Sequence, residues 1–339
     1  MKRRFDRLLH LGNVVVDVVL DVPDLPERGD DVLASATQVT PGGGYNVMAA
    51  AVARGLPAGY AGAHGSGPFA ALARAALARA GIEVLQEPKA GADTGFVVAI
   101  VDAAGERTFL TSRGAEATLT AEDLKGVRAT PRDAVYLSGY GLVYPSNASA
   151  ILGWLGRLGE PNLVFLDPGP LVGAVPGDVL RRVLRRADWL TCNAREAAGL
   201  TGLDDPSAAA LALARGAVAG VPGVASDGQD PAHPREGVLV RAGAAGCLVA
   251  RAGAGSGARS GAGADGLPPV HVPGFPVTVL DTNGAGDTHA GTFIAALAAG
   301  ADALDAARTA NAAAALSVTR RGPATAPADS ELARFLAGR

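Results

Sequence analysis

The stretch DTNGAGDTHAGTF, residues 281–293, places a glycine-rich turn immediately before a strongly helical, alanine-rich run. Free backbone amides at such a helix start form an anion site, because they lack intrahelical acceptors and lie at the positive end of the helix dipole. Gly284 and Gly286, with Ala285 between them, let the main chain approach a phosphate closely. Asp287 then stands where a carboxylate can take the proton of a nucleophile attacking that phosphate. Read without that chemistry, the same residues are a turn followed by an acid in the first helical turn, a position the dipole favours.

The rest of the chain bounds what such a site can serve. Its 339 residues carry 30 Lys plus Arg against 33 Asp plus Glu, a net charge of −3, with 48% hydrophobic residues. This is ordinary globular composition, long enough for a large core. The near-neutral balance excludes a general nucleic-acid binder, which needs a clustered basic surface. Two cysteines, Cys192 and Cys247, and five scattered histidines make neither a disulfide framework nor a zinc site, and a reducing cytoplasm is the expected compartment. The basic start MKRRF leads into an apolar run that Asp17 interrupts, which argues against a signal peptide. The uncharged stretch 134–156 contains Pro145, Ser146 and Asn147 and reads as strand, turn and helix; no membrane span and no membrane partner are expected.

Apolar runs at 8–16, 58–63, 134–137, 162–166 and 188–191 alternate with helical segments near 44–54 and 68–80 and after the later runs. Strand-helix alternation predicts one α/β domain over 1–339: a three-layer α/β/α sandwich with a mainly parallel central sheet. Segments 17–22, 32–39, 96–101 and 107–111 look like strands without intervening helices, the last two joined by a Gly-containing hairpin signal at 102–106. They predict a small second sheet, a β lid drawn from about 17–39 and 94–112. The Gly/Ala/Ser/Pro-rich segments 222–236 and 252–266 read as flexible surface loops.

Two other nucleotide motifs can be weighed. The only lysines are Lys2, Lys89 and Lys125, none in a G-x-x-x-x-G-K-[ST] context, so a P-loop is absent. GSGPFA at 65–70 satisfies a loose G-x-G-x-x-A fingerprint, with Glu83 eighteen residues beyond Gly65, and leaves an NAD-dependent dehydrogenase as a minor alternative.

The chain resembles the PfkB/ribokinase family of carbohydrate kinases, whose D-T-x-G-A-G-D signature is met by Asp281 to Asp287 with Asn283 in the variable place. Four more elements follow family order: Gly12-Asn13 with Asp17, Gly42-Gly43 to Asn46, Asn193-Ala-Arg-Glu196, and Gly243 with Gly246 in RAGAAG. GERTF, YLSGY, DPGP and HAG look most like uncharacterised bacterial sugar kinases. The resemblance implies a ribokinase-like fold and transfer of the ATP γ-phosphate to a hydroxyl of a small sugar or sugar acid, with Asp287 as general base. It implies acceptor contacts from Asp17, Gly42, Gly43, Asn46 and Tyr140. Nucleotide contacts fall to Asn193, Glu196, Arg241, Gly243, Gly246 and Asn311. Glu196 would act on Mg²⁺ through water, and Asp281, Asn283, Ser317 and Gly322 match the place where several relatives bind a monovalent cation such as K⁺. A homodimer is expected, its lids pairing because a small sheet with Val98, Ile100 and Phe109 has too little core alone.

Taken residue by residue, a lone Asp17 in an apolar strand is costly to bury without a role. Asn46 can equally cap the following helix. Gly44-Tyr45 and Gly67 with Ala70 depart from common family patterns, so ribose specificity does not transfer. A nucleoside kinase is the main alternative acceptor class, with Tyr45, Phe96, Phe109 and Tyr140 the aromatic residues on the presumed acceptor side; a non-catalytic sugar or nucleotide sensor is the remaining one.

Overall fold

The computed structural model describes residues 4–221, 236–251 and 267–338. The expected loops at 222–236 and 252–266 lie almost entirely outside the described residues. The first half holds β1 (Arg7–His10), β2 (Val14–Asp21), β3 (Ala36–Gly43), α1 (Gly44–Ala53), β4 (Ala58–Tyr60), α2 (Pro68–Arg79), β5 (Glu83–Val84), β6 (Phe96–Val101) and β7 (Arg107–Ser112). Next come β8 (Asp133–Ser138), α3 (Gly139–Leu142), α4 (Pro145–Leu155), β9 (Val164–Asp167), α5 (Gly177–Arg186), β10 (Trp189–Asn193), α6 (Ala194–Thr201) and α7 (Pro206–Ala214). The chain closes with β11 (Gly237–Arg241), β12 (Gly246–Arg251), β13 (Val270–Pro273), α8 (Ala285–Ala298), α9 (Ala303–Ser317) and α10 (Asp329–Ala337).

Nine strands form the central sheet in the order β13-β12-β11-β10-β9-β8-β1-β4-β5. Pairing is parallel from β5 to β11 and antiparallel at the β12 and β13 edge. Strand alternation sorts side chains into two cores. Leu9, Val135, Leu137 and Leu166 face α4 to α7, while Leu8, Tyr136, Phe165 and Trp189 face α1, α2, α8 and α9. The three-layer expectation is met, and 134–156 is indeed strand followed by helices.

The apolar run 8–16 is not one strand. At Leu11-Gly12-Asn13 the chain leaves the central sheet after β1 and enters a second one as β2. That sheet has the order β3-β2-β6-β7, with β2 and β6 parallel and both outer pairs antiparallel. Its first two strands differ from expectation: β2 begins at Val14, and β3 begins at Ala36 and continues through Gly42-Gly43, because Val14 pairs with Gly43. The hairpin at 102–106 is present, its turn held by the Asp102 carboxylate accepting from the amides of Ala104 and Glu106. By register, Asp17, Ala99, Arg107 and Phe109 share one face, whereas Val98, Ile100 and Leu110 share the other.

Candidate active site

The carboxyl ends of the parallel strands converge on one edge of the central sheet, where α/β folds collect ligand-binding groups. β1 leads to Gly12-Asn13, β8 to Tyr140, β9 ends on Asp167, β10 on Asn193 and β11 on Arg241. The turn 281–284 and the start of α8 complete this edge.

Gly284 caps α8 with φ +72°, a left-handed conformation, and a Cβ there would lie 2.0 Å from the carbonyl oxygen of Pro323. Only glycine fits, so the turn is fixed against the C-terminal loop. The amides of Gly286 and Asp287 open the helix without intrahelical acceptors. The Arg241 guanidinium flanks Gly286, adding fixed positive charge beside those amides.

Asp287 is half-buried, and its Oδ2 accepts a 3.0 Å hydrogen bond from Asn46 Nδ2. Burial pushes this carboxyl up to about 7; the Asn46 bond and Arg241 oppose the shift, while Asp167 and Asp17 add to it. A carboxyl poised near neutrality is matched to proton transfer at pH 7. Asn46 lies inside α1, whose N-cap is Gly43 without a side-chain cap, so the capping alternative is not realised. Its Oδ1 is buried with no partner, as is Asn13 Oδ1. Such orphaned acceptors are costly unless a ligand hydroxyl satisfies them.

Asp17 sits on β2 against Gly42, where a Cβ would lie 2.3 Å from Asp17 Oδ2; glycine makes room for the carboxylate. Burial pushes Asp17 up to about 6. The Tyr140 ring rests on Gly169, remains 44% exposed, and has its hydroxyl raised to about 12 by burial and then by the charges of Asp287, Glu196, Asp167 and Asp17. The Tyr140 hydroxyl thus lies within electrostatic reach of all four carboxylates.

Arg241 ties the strand ends together. Its guanidinium donates to Thr191 Oγ1 at 2.6 Å and pairs with Asp167 at 3.1 Å and with Glu196 at 3.7 Å. Glu196 is no solvated helix residue: Asn193 and Glu196 form a reciprocal capping box, each side chain accepting from the other's amide at 2.8 Å. Burial first and Asp167 second raise the Glu196 carboxyl, against Arg241 and Asn193.

Other expected residues lie elsewhere or are already engaged. Asn311 is buried, donating to the Val272 and Pro273 carbonyls and bonding His289, so its polar atoms hold β13 to the helices. Gly243 and Gly246 bracket the turn between β11 and β12. Asp281, Asn283 and Gly322 do converge: Asp281 accepts from the amides of Asn283 (2.8 Å) and Gly322 (2.9 Å) and also from Arg107. The Ser317 carbonyl accepts from Arg320 N and Thr325 Oγ1. The Asp281 carboxylate and the Ser317 carbonyl, two of the oxygens expected to face a monovalent cation, are thus already accepting hydrogen bonds.

Asp167, Asn13 and Arg107 lie in the motifs DPGP, Gly12-Asn13 and GERTF without any role expected of them, because their partners are set by strand order and not by spacing. The dinucleotide reading of GSGPFA fails on geometry, since the Asp93 carboxylate already accepts from the Phe69 and Ala70 amides at the start of α2. Among the described residues, no group of three or more His, Cys, Asp or Glu is placed to hold a metal, and no helix is long and apolar enough to cross a membrane.

Comparison with known proteins agrees with this geometry. The model of the pfkB family carbohydrate kinases matches residues 6–330. An uncharacterized sugar kinase YegV of Escherichia coli (strain K12) is 31% identical over 95% of this chain and 91% of its own length. An ATP-dependent ribose-1-phosphate kinase of Halopiger xanaduensis is 31% identical over 98% and 99%. The crystal structure of ribokinase from Thermotoga maritima superposes with a TM-score of 0.75 at 24% identity, over 98% and 99% of the two chains. The chain thus belongs to the pfkB family of carbohydrate kinases, ATP-using phosphotransferases that act on an alcohol group.

Proposed function

We propose that the protein transfers the γ-phosphate of ATP to a hydroxyl of a small sugar or sugar acid, with Asp287 as general base. The observation that carries this reading is the Asp287 carboxyl, held by Asn46, lifted to about 7 and set in the first turn of a helix whose Gly286 and Asp287 amides lack intrahelical acceptors. The acceptor oxygen attacks the γ-phosphorus, the bond to the β–γ bridging oxygen breaks, ADP departs, and the acceptor proton passes to Asp287. The Gly284-Ala285-Gly286 turn and α8 amides stabilise the transferred group's charge. Asp17 and Asn46 orient the acceptor hydroxyls, with Gly42 and Gly43 allowing close backbone approach and Tyr140 bounding the pocket. The second sheet acts as a lid.

Asn193, Glu196, Arg241, Gly243 and Gly246 are the residues proposed for the nucleotide side; Asn311 supports that wall from within the core. Mg²⁺ usually keeps several waters and binds through one or two carboxylates plus phosphates, so a cluster of protein ligands is not required. Glu196 fits that role as a charged group at the strand edge, and the ion would supply charge neutralisation on the phosphates. Gln at position 196 retains the capping box but not the charge. Glu196→Gln is therefore expected to weaken Mg²⁺-dependent turnover more than acceptor binding, with the melting temperature not lowered. Equal loss in both would make the residue structural.

A nucleoside kinase is the second reading, favoured by the exposed Tyr140 ring, a flat surface on which a base can stack. Measuring ADP release against a panel of sugars, sugar acids, sugar phosphates including ribose 1-phosphate, and nucleosides separates the two. No release with any acceptor would leave a non-catalytic sensor.

We further infer a homodimer through the lids. Val39 and Leu110 are exposed on the sheet face opposite Asp17, and two small sheets joined there would share a core. Sedimentation is expected to give a dimer at micromolar concentration; only monomer, with and without ligand, would remove the pairing.

A further inference from the structure

Arg107 begins β7, at the far edge of the second sheet and on the same face as Asp17. Its guanidinium crosses to the anion turn, where Nη2 donates to Asp281 Oδ1 and Nη1 donates to Thr282 Oγ1 at 3.0 Å. The amides of Asn283 and Gly322 take up the rest of the Asp281 carboxylate, so that one acidic side chain joins β7, the turn before Asp287 and the C-terminal loop. Both partners are largely shielded, with 23% and 19% of their side chains exposed. The contact closes one side of a cleft of about 810 Å³, lined by Val19, Gln38, Ala99, Leu280 and Arg321 among others. The neighbouring cation Arg321 is directed to Asp21, at 3.8 Å, which leaves Arg107 as the cation hydrogen-bonded to Asp281.

We propose that Arg107 is the built-in cation of this site: it positions the Asp281 turn, and through it the amides that precede Asp287, in place of a bound monovalent ion. Arginine remains charged at every working pH, and its planar fork can hold the Asp281 carboxylate and the Thr282 hydroxyl together, which fixes the turn's orientation as a spherical ion does not. A K⁺ ion on the same carboxylate would sit beside the like charge of Arg107, with both Asp281 oxygens already accepting hydrogen bonds. The second sheet then carries a charge that the turn needs, so the turn reaches its working geometry only with that sheet in place. This rests on the kinase reading and extends it: Arg107 touches neither acceptor nor nucleotide and is a positioning residue.

The test compares KCl with tetramethylammonium chloride at equal ionic strength. Wild-type turnover and melting temperature are expected to be the same in both, turnover within twofold. Arg107→Ala is expected to lose tenfold or more in kcat in tetramethylammonium with acceptor KM nearly unchanged. KCl should restore part of that loss and raise the variant's melting temperature, because the freed Asp281 can then hold the ion. Arg107→Lys, which keeps the charge without the fork, should retain more activity than the alanine variant in tetramethylammonium. Several-fold K⁺ stimulation of the wild type overturns the proposal, and so does an alanine variant with native kcat in tetramethylammonium. If the wild type phosphorylates nothing, the kinase reading fails, but the melting temperatures in the two salts still decide the cation question.

Discussion

Asp287→Asn is expected to lower turnover about 10²–10⁴-fold, the usual cost of losing a general base, while ATP and acceptor still bind. Asparagine keeps the shape of the side chain and can still accept from Asn46 Nδ2, so the loop and the α8 amides keep their geometry. Proton acceptance alone is lost. The melting temperature should rise at the same time. Burial lifts the native carboxyl from its ordinary value to about 7, so the folded state binds the proton more tightly than the unfolded chain. That relative stabilisation is present below about pH 4 and is lost as pH rises through 7, where the ionised carboxylate weakens the native state. An uncharged asparagine escapes this loss, on the order of 1–3 kcal/mol above pH 7 for a partly solvated group. In the wild type, kcat/KM should climb with pH to a midpoint near 7; in the variant that rise should vanish. If Asp287 were only a buried first-turn residue, asparagine would raise stability in the same way but leave turnover near native. Near-native turnover of Asp287→Asn with saturating ATP and the best acceptor sinks the catalytic assignment.

The sequence disclosed local features of this site and concealed the long-range ones. The turn at 281–287, the hairpin at 102–106 and the helix starting at Pro68 are each encoded within a few residues, through glycine, proline and capping chemistry, and all three form. N-x-x-E at 193–196 carries its own capping-box signature, which explains the buried Glu196 without reference to a ligand. The split of 8–16 into two strands of different sheets was hidden because both halves are apolar, and a period of two cannot say which sheet a strand joins. Pairing of β2 with β6 is likewise non-local, joining residues some eighty positions apart. Arg107 with Asp281 and Arg241 with Asp167 depend on that topology, so neither pair has a signal in spacing.

Asp17→Asn is expected to raise the acceptor KM about 10–100-fold, leave the ATP KM unchanged and raise the melting temperature. The first effect follows from replacing charged hydrogen bonds to substrate hydroxyls, which contribute about 1.5–3 kcal/mol each, with neutral ones. The others follow from position: Asp17 lies on β2, away from the strand ends assigned to the nucleotide, and burial alone lifts its carboxyl to about 6. Ionising it costs native stability as pH rises from about 4 through 6, a loss the asparagine variant avoids, so the two melting curves should separate across that window and stay apart above it. A second consequence distinguishes an acceptor residue in this cleft from a merely strained strand position. The Asp17 charge is one of the influences that raise Asp287, after burial and Asp167, so its removal should move the midpoint of the kcat/KM profile below that of the wild type. A variant with higher stability, an unmoved midpoint and a native acceptor KM would show that Asp17 faces no substrate, and the acceptor pocket would have to be sought elsewhere along the α8 entrance.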